Sequence, residues 1–198
     1  MRNEFALERN DVGIVPYLTK TKMLSATLKG EIILKSVDIN SFDFAPFKEI
    51  GDNWGLLTAQ ADGKFNSMTV SWGGVGVIWN KPSVFVFVRP QRYTYQFMEK
   101  GEYFSLSIMT EALHSQMTVF GKKSGRDCDK YAESGLSTAE YNGVTYCSEA
   151  ETVFICRKRC GSDLEHESFT DSTIKDTFYS SGDKHRMYIG EITAILKK

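Results

Sequence analysis

Three short segments of this chain carry more polar and cationic groups than a simple β-protein needs. The first is Asn66-Ser67-Met68-Thr69-Val70-Ser71-Trp72, in which four of seven side chains bear a hydroxyl or amide and an indole closes the run. Such a stretch can hydrogen-bond the edge of a flat polar ligand, and it is also what an exposed strand edge with ordinary Ser and Thr looks like. The second is Arg89-Pro90-Gln91-Arg92-Tyr93-Thr94, where two arginines leave an apolar strand just as a helix begins. Arginine forks match phosphate oxygens, and helix N-termini present free N–H groups, although two arginines in an exposed turn are also simply solvated. The third is Gly121-Lys122-Lys123-Ser124-Gly125-Arg126-Asp127, which sets three cations and two glycines just after a helix. It can wrap an anion or be an ordinary charged loop.

The elements that must position these segments are mostly strands. Trp54 to Gln60 and Asn66 to Trp72 are β-type runs around Asp62-Gly63, the strongest short hairpin signal. Gly73-Gly74 breaks or bulges the chain, and Val75 to Trp79 and Ser83 to Arg89 are two further strands around a Lys81-Pro82 turn. The second is apolar on both faces, as a buried central strand is. Tyr93 to Lys100 reads as a helix stopped by Gly101, Glu102 to Met109 as a strand, and Glu111 to Phe120 as a helix with Leu113, Met117 and Phe120 on one face. Later strands are Val144 to Cys147, Thr152 to Cys156 and Met187 to Leu196; Glu31 to Lys35 is a short one, and Ser41 to Ile50 holds one or two helical turns. Many short strands with few helices predict a mainly β fold, a barrel or sandwich with peripheral short helices. Residues 1–30 read as an N-terminal arm and 31–198 as the main domain.

Several function classes are excluded on composition. The chain has 198 residues, 24 basic and 25 acidic side chains and a net charge of -1, so no global field draws it to nucleic acid or anionic membranes. Its longest apolar runs fall far short of the roughly 18 residues of a membrane span, and no signal-peptide pattern opens it, so the expected compartment is the cytoplasm. The doubly wound nucleotide fold needs long alternating helices and a Gly-x-Gly-x-x-Gly turn after its first strand; Gly73-Gly74-Val75-Gly76 lies between strands instead. Cys128, Cys147, Cys156 and Cys160 lack zinc-ligand spacing and read as buried or incidental thiols, with no metal site expected.

Taken together, the three segments resemble the flavin reductase-like FMN-binding proteins, in particular the flavoredoxin branch, from about Phe47 to Leu196. A fourth segment supports the resemblance: His185 is followed five residues on by Gly190 within Tyr188-Ile189-Gly190-Glu191-Ile192. Family members often carry Gly-Asp-His here, whereas Lys184 separates Gly182-Asp183 from His185. The resemblance implies a split β-barrel that binds FMN non-covalently as a homodimer. It places Asn66, Ser67, Met68 and Thr69 along the isoalloxazine edge, with Ser71 and Trp72 lining the pocket. It gives Arg92 and Thr94, with Tyr93 between them and Arg89 nearby, to the phosphate. It closes Lys122, Lys123, Ser124, Gly125 and Arg126 over the phosphate or ribityl end.

His185 is the one histidine with an expected catalytic role, near the open flavin face where a nicotinamide binds; a strand-entry residue in a surface turn is the plainer alternative. His114 falls on the polar side of its helix and His166 in a solvated acidic stretch. The implied activity is an NAD(P)H-dependent oxidoreductase passing a hydride from NADH or NADPH to FMN and on to an acceptor. The alternative is a non-enzymatic FMN electron carrier working with a redox protein partner, and a flavin-free or haem-binding barrel is a third reading.

Overall fold

The structure, a computed structural model, describes residues 34–198. The expected arm over residues 1–30 and most of the short strand expected over 31–35 lie outside the described residues. A strand does form just downstream, at β1 (Lys35–Val37). A π-helical turn, Phe47–Asp52, follows Pro46 in the segment where helical turns were expected.

The barrel strands come next: β2 (Gly55–Ala61), β3 (Lys64–Val70), β4 (Gly73–Ile78) and β5 (Lys81–Val88). Then follow helix α1 (Thr94–Lys100), strand β6 (Tyr103–Ile108), helices α2 (His114–Lys122) and α3 (Lys130–Ser134), and the hairpin β7 (Thr138–Tyr141) and β8 (Val144–Cys147). Strand β9 (Thr152–Asp163), helix α4 (Ser172–Phe178) and strand β10 (Arg186–Lys197) complete the described chain. The main sheet runs β3-β2-β6-β9-β10-β5-β4, with β1 also paired to β10. Every pair in it is antiparallel. Its two ends, β3 and β4, are consecutive in the chain but not hydrogen-bonded to each other, so the curled sheet stays open along that seam. This is the expected split β-barrel with short peripheral helices.

Three hairpin tips have the two-residue form in which both central residues take positive φ, the geometry whose twist matches paired strands. They are Asp62-Gly63, Trp79-Asn80 and Asn142-Gly143. The second corrects the expected Lys81-Pro82 turn: Lys81 and Pro82 already belong to β5, opposite Ile78 and Val77. Gly73-Gly74, expected as a break, is the start of β4.

Alternation along the strands makes two apolar layers. Leu57, Ala59, Val84, Val86, Val88, Leu106, Phe154 and Tyr188 fill the barrel interior. Leu56, Met117, Phe120, Val153, Ile155 and Leu196 form a second layer beneath α2 and the β7–β8 hairpin. Strands β2, β6 and β9 are therefore covered on both faces. Strand β5 is not: Val84, Val86 and Val88 are buried, while Phe85 and Phe87 on its other face remain partly exposed. It is the strand next to the β4 edge rather than a fully enclosed one. Among the described residues no helix is long and apolar enough to cross a membrane, and no group of three or more His, Cys, Asp or Glu could hold a metal.

Candidate functional site

A cleft of about 380 Å³ opens between the end of β3, the turn from β5 to α1, and α2. Met68, Thr69 and Ser71 form one wall, and Met117, Thr118, Gly121 and Lys122 the other; Arg89, Arg92, Trp54 and His185 complete it. Two smaller cavities share its walls. One of 230 Å³ continues past Ser71, Arg89 and His185 to Trp72 and Phe87. The other, of 150 Å³, continues past Met68, Arg92 and Lys122 to Asn66, Tyr93 and the loop after α2. The whole lies in the size range of small-molecule sites, with an aromatic end and a cationic end.

The three sequence segments meet here by direct contacts. Asn66 Nδ2 donates to Thr94 Oγ1 at 2.7 Å, fastening β3 to the start of α1. The loop after α2 lies so close to the same asparagine that a Cβ on Gly125 would stand 2.1 Å from Asn66 Oδ1. The Arg126 guanidinium covers the Tyr93 ring at 4.6 Å, and its backbone N–H donates to Ser124 Oγ at 3.2 Å. Arg92 reaches back to the end of α2, where its Nη1 donates to the Gly121 carbonyl at 2.7 Å and its Nη2 to the Phe120 carbonyl at 2.9 Å. A cation on the last carbonyls is where the helix dipole favours one, and α2 runs through Gly121 to Lys122, past its expected end at Phe120.

The cationic end is lined by Arg92, Lys122, Lys123, Arg126 and Lys130, with no carboxylate in its wall. Lys123 pairs with Glu133 outside the cavity. Lys130, the first residue of α3, is buried and donates from Nζ to the Ser67 backbone carbonyl. Burial, and then the nearby Arg92 charge, push its amine down to about 8. Burial likewise lowers Arg92. Two cations desolvated together without a counter-charge form a site that an anion would relieve.

The other end is organised around His185, which is 8% exposed. Its Nδ1 lies 2.9 Å from the Tyr179 hydroxyl, and its ring lies 5.3 Å from that of Trp72. Burial, then the Arg89 charge, hold the imidazole below its ordinary value, which favours its neutral form. Asp183 receives Arg89 Nη1, Gln91 Nε2 at 2.7 Å and Ser181 Oγ at 2.9 Å. Those bonds, Arg89 foremost, hold its carboxyl at about 2. Asp183 thus keeps a structural tie to Arg89 despite the inserted Lys184.

Two of the expected residues stand apart from the cationic cavity. Arg89 sits at the His185 end, donating to Asp183 and, at 2.9 Å, to the Phe178 carbonyl, so it is not beside the cationic cavity. The Ser67 side chain faces away from the cleft because β3 alternates; its hydroxyl is shared by Thr58 Oγ1 and Tyr131 OH, each at 2.8 Å. His114 and His166 are also not free in solvent. His114 stacks on Trp54 at 4.1 Å, and His166 Nε2 is 2.8 Å from the Asp183 carbonyl oxygen. Sequence reasoning missed Trp54, Thr118, Lys130 and Tyr179. The apolar stripe of α2 signals Met117, and Gly121 is its helical neighbour, but no local pattern separates Lys130 from a solvated lysine.

Comparison with known proteins identifies the family and the fold. Residues 48–197 match the flavin reductase like domain. The chain is 26% identical over 101 residues to a high molecular weight rubredoxin of Moorella thermoacetica, covering 50% of this chain and 43% of that protein. The chain thus spans under half the length of that curated relative. Among solved structures it is similar to an FMN-binding domain of a flavin reductases-like enzyme from Shewanella baltica OS155, with TM-score 0.61 and 15% identity over 84% of this chain and 78% of that one. It is also similar to flavoredoxin from Methanosarcina acetivorans, with TM-score 0.57 and 22% identity over 74% and 68%. At these identities the structural likeness concerns the fold.

Proposed function

Because the chain belongs to the flavin reductase like domain family, we propose that its cleft binds FMN non-covalently and that the protein is an NAD(P)H-dependent flavin reductase-like oxidoreductase of the cytoplasm. The observation that carries the reading is the polarity of the cleft: a cation-lined, carboxylate-free cavity at one end and a buried histidine beside an exposed indole at the other. FMN has the same polarity, with a dianionic phosphate at one end and a flat ring at the other.

In this reading Arg92, Lys122, Lys123, Arg126 and Lys130 hold the phosphate, with Ser124 and the Asn66–Thr94 pair shaping that end. Met68, Thr69, Ser71, Met117 and Gly121 flank the ring, with Trp72 beyond. When bound, FMN supplies a ring that accepts a hydride and passes electrons on. The chain's own part is to bind, orient and exclude water. The Tyr179 hydroxyl, 2.9 Å from Nδ1 of His185, fixes the ring against the cleft where a nicotinamide would enter.

A homodimer belongs to the same reading. Strand β4 is a sheet edge, and Val77 and Trp79 on or beside it are 74% and 58% exposed, as is Phe47 nearby at 92%. Exposed apolar groups along an open edge mark an association surface. One observation favours the carrier alternative: Trp72 and Phe178 are both partly exposed and pack edge to face at 5.3 Å beside the His185 end, where a protein partner could dock.

The test begins with the purified protein's absorbance. A yellow protein whose heat-released flavin co-chromatographs with FMN is expected; FAD, haem or no flavin after reconstitution overturns the reading. Anaerobic addition of NADH or NADPH then bleaches the flavin band of a reductase and leaves that of a carrier unchanged.

A further inference from the structure

Lys130 stands apart from the other cations of the phosphate end. Lys122, Lys123 and Arg126 are exposed, whereas Lys130 is 6% exposed. Arg92 is half-buried but has two helix carbonyls as partners. The Lys130 amine has a single neutral acceptor, the Ser67 carbonyl, and the Phe120 ring at 5.5 Å. Among the described residues it makes no salt bridge. The charged and titratable groups that bear on it are Arg92 from the turn before α1 and Cys128 from the loop before α3. Lys122, Lys123 and Arg126 share its cavity, and among the described residues the carboxylate paired with that set, Glu133, is taken by Lys123.

Burial disfavours an ammonium that has no counter-ion, so an anion at its head favours the protonated form, and an amine that has lost its proton must take one up to meet that anion. We propose that Lys130 makes the discrimination of FMN from riboflavin pH-dependent, by binding the phosphate and a proton together. The proposal rests on the FMN reading above and adds a pH dependence to it. The unliganded amine titrates near 8. The phosphate is already dianionic above about pH 7, its second ionisation lying near 6. The sign follows from linkage: the liganded state binds more protons than the free state, so affinity falls as pH rises through the free amine's range. Ionisations of the ring are common to both flavins and cancel in their ratio.

The experiment titrates FMN and riboflavin into the full chain stripped of flavin, from pH 7 to 9.5, following quenching of flavin fluorescence. The wild type should lose FMN affinity relative to riboflavin by about 10- to 30-fold across that range, as expected for one required proton on a group titrating near 8. Calorimetry at pH 8.5 in buffers of different ionisation enthalpy should show proton uptake with FMN and none with riboflavin. Lys130→Met should remove most of the preference at pH 7, and Lys130→Arg, which cannot lose its charge, should keep a preference that no longer varies with pH. Parallel curves for the two flavins in the wild type, or a wild-type pH dependence retained in Lys130→Arg, would overturn the assignment. Binding of neither flavin would remove the FMN reading itself, and the proposal with it.

Discussion

Single side chains at the two ends of the cleft have separable effects. His185→Ala should slow reduction by NAD(P)H more than it weakens FMN, because the imidazole lies at the end away from the cavity lined by Arg92, Lys122 and Lys130; stopped-flow reduction alongside flavin titration checks this. Tyr179→Phe should act in the same direction more weakly, since it removes only the hydroxyl 2.9 Å from Nδ1. Its signature is a change in the pH profile of reduction with little change in FMN affinity. His185 also bears on stability. Its folded value lies below the unfolded one of about 6.5, first by burial and then by Arg89. Its contribution is therefore complete above about pH 6.5 and lost as pH falls through the lower folded value. Denaturant unfolding should show a stability loss between pH 7 and 5 that flattens in His185→Gln. At the cationic end, Arg92→Ala should weaken FMN more than riboflavin, by about 10-fold given its neighbours. It should also lower the melting temperature, because two charge-assisted bonds to α2 go with it, each worth about 1.5–3 kcal/mol. Equal losses for the two flavins would place the phosphate elsewhere.

Strands and turns differ in how plainly the sequence announces them. The Asp62-Gly63 hairpin is legible because Gly and Asp tolerate the positive φ that the turn demands. Trp79-Asn80 uses the same geometry with a residue that rarely adopts it, so the local sequence points to Lys81-Pro82 instead. Strand β9 extends to Asp163, far beyond its expected end at Cys156. Its charged second half, Arg157-Lys158-Arg159, is held by Glu102, Glu191 and the α1 carbonyls, partners no local pattern reveals. The convergence of the three polar segments was legible only as a family pattern; Lys130, Tyr179 and the tie of Arg89 to Asp183 depend on tertiary contacts. Gly190 is the reverse case, a residue noted for its spacing whose physical role is packing. A Cβ there would stand 2.4 Å from the Phe104 ring and 2.9 Å from Cys156 Cβ, beside the bulge where β10 shifts register on β9. Gly190→Ala should therefore destabilise by about 1–3 kcal/mol, a fall of roughly 3–10 °C in melting temperature, with the flavin spectrum of the surviving fold unchanged.

For the molecule as a whole, the open seam between β3 and β4 is the feature that asks for a partner. Sedimentation at micromolar concentration should give a dimer. Val77→Asp, which places a charge on the 74%-exposed face beside the β4 edge, should shift it toward monomer without unfolding the barrel. A wild-type monomer that retains FMN would contradict the dimer.

The order in which the strands are made differs from the order in which they pair. β10 lies between β9 and β5 and carries β1 as well, yet it is the last strand of the described chain to be synthesised. A nascent chain can build the β2–β3, β4–β5 and β6–β9 pairings early. The two halves of the sheet cannot join until residues 186–197 have left the ribosome. Translation at about 5–20 residues per second leaves β5, with its Val84, Val86 and Val88, waiting beside an empty neighbour for several seconds. Through that interval β5 and β9 each keep one edge without the partner that β10 supplies.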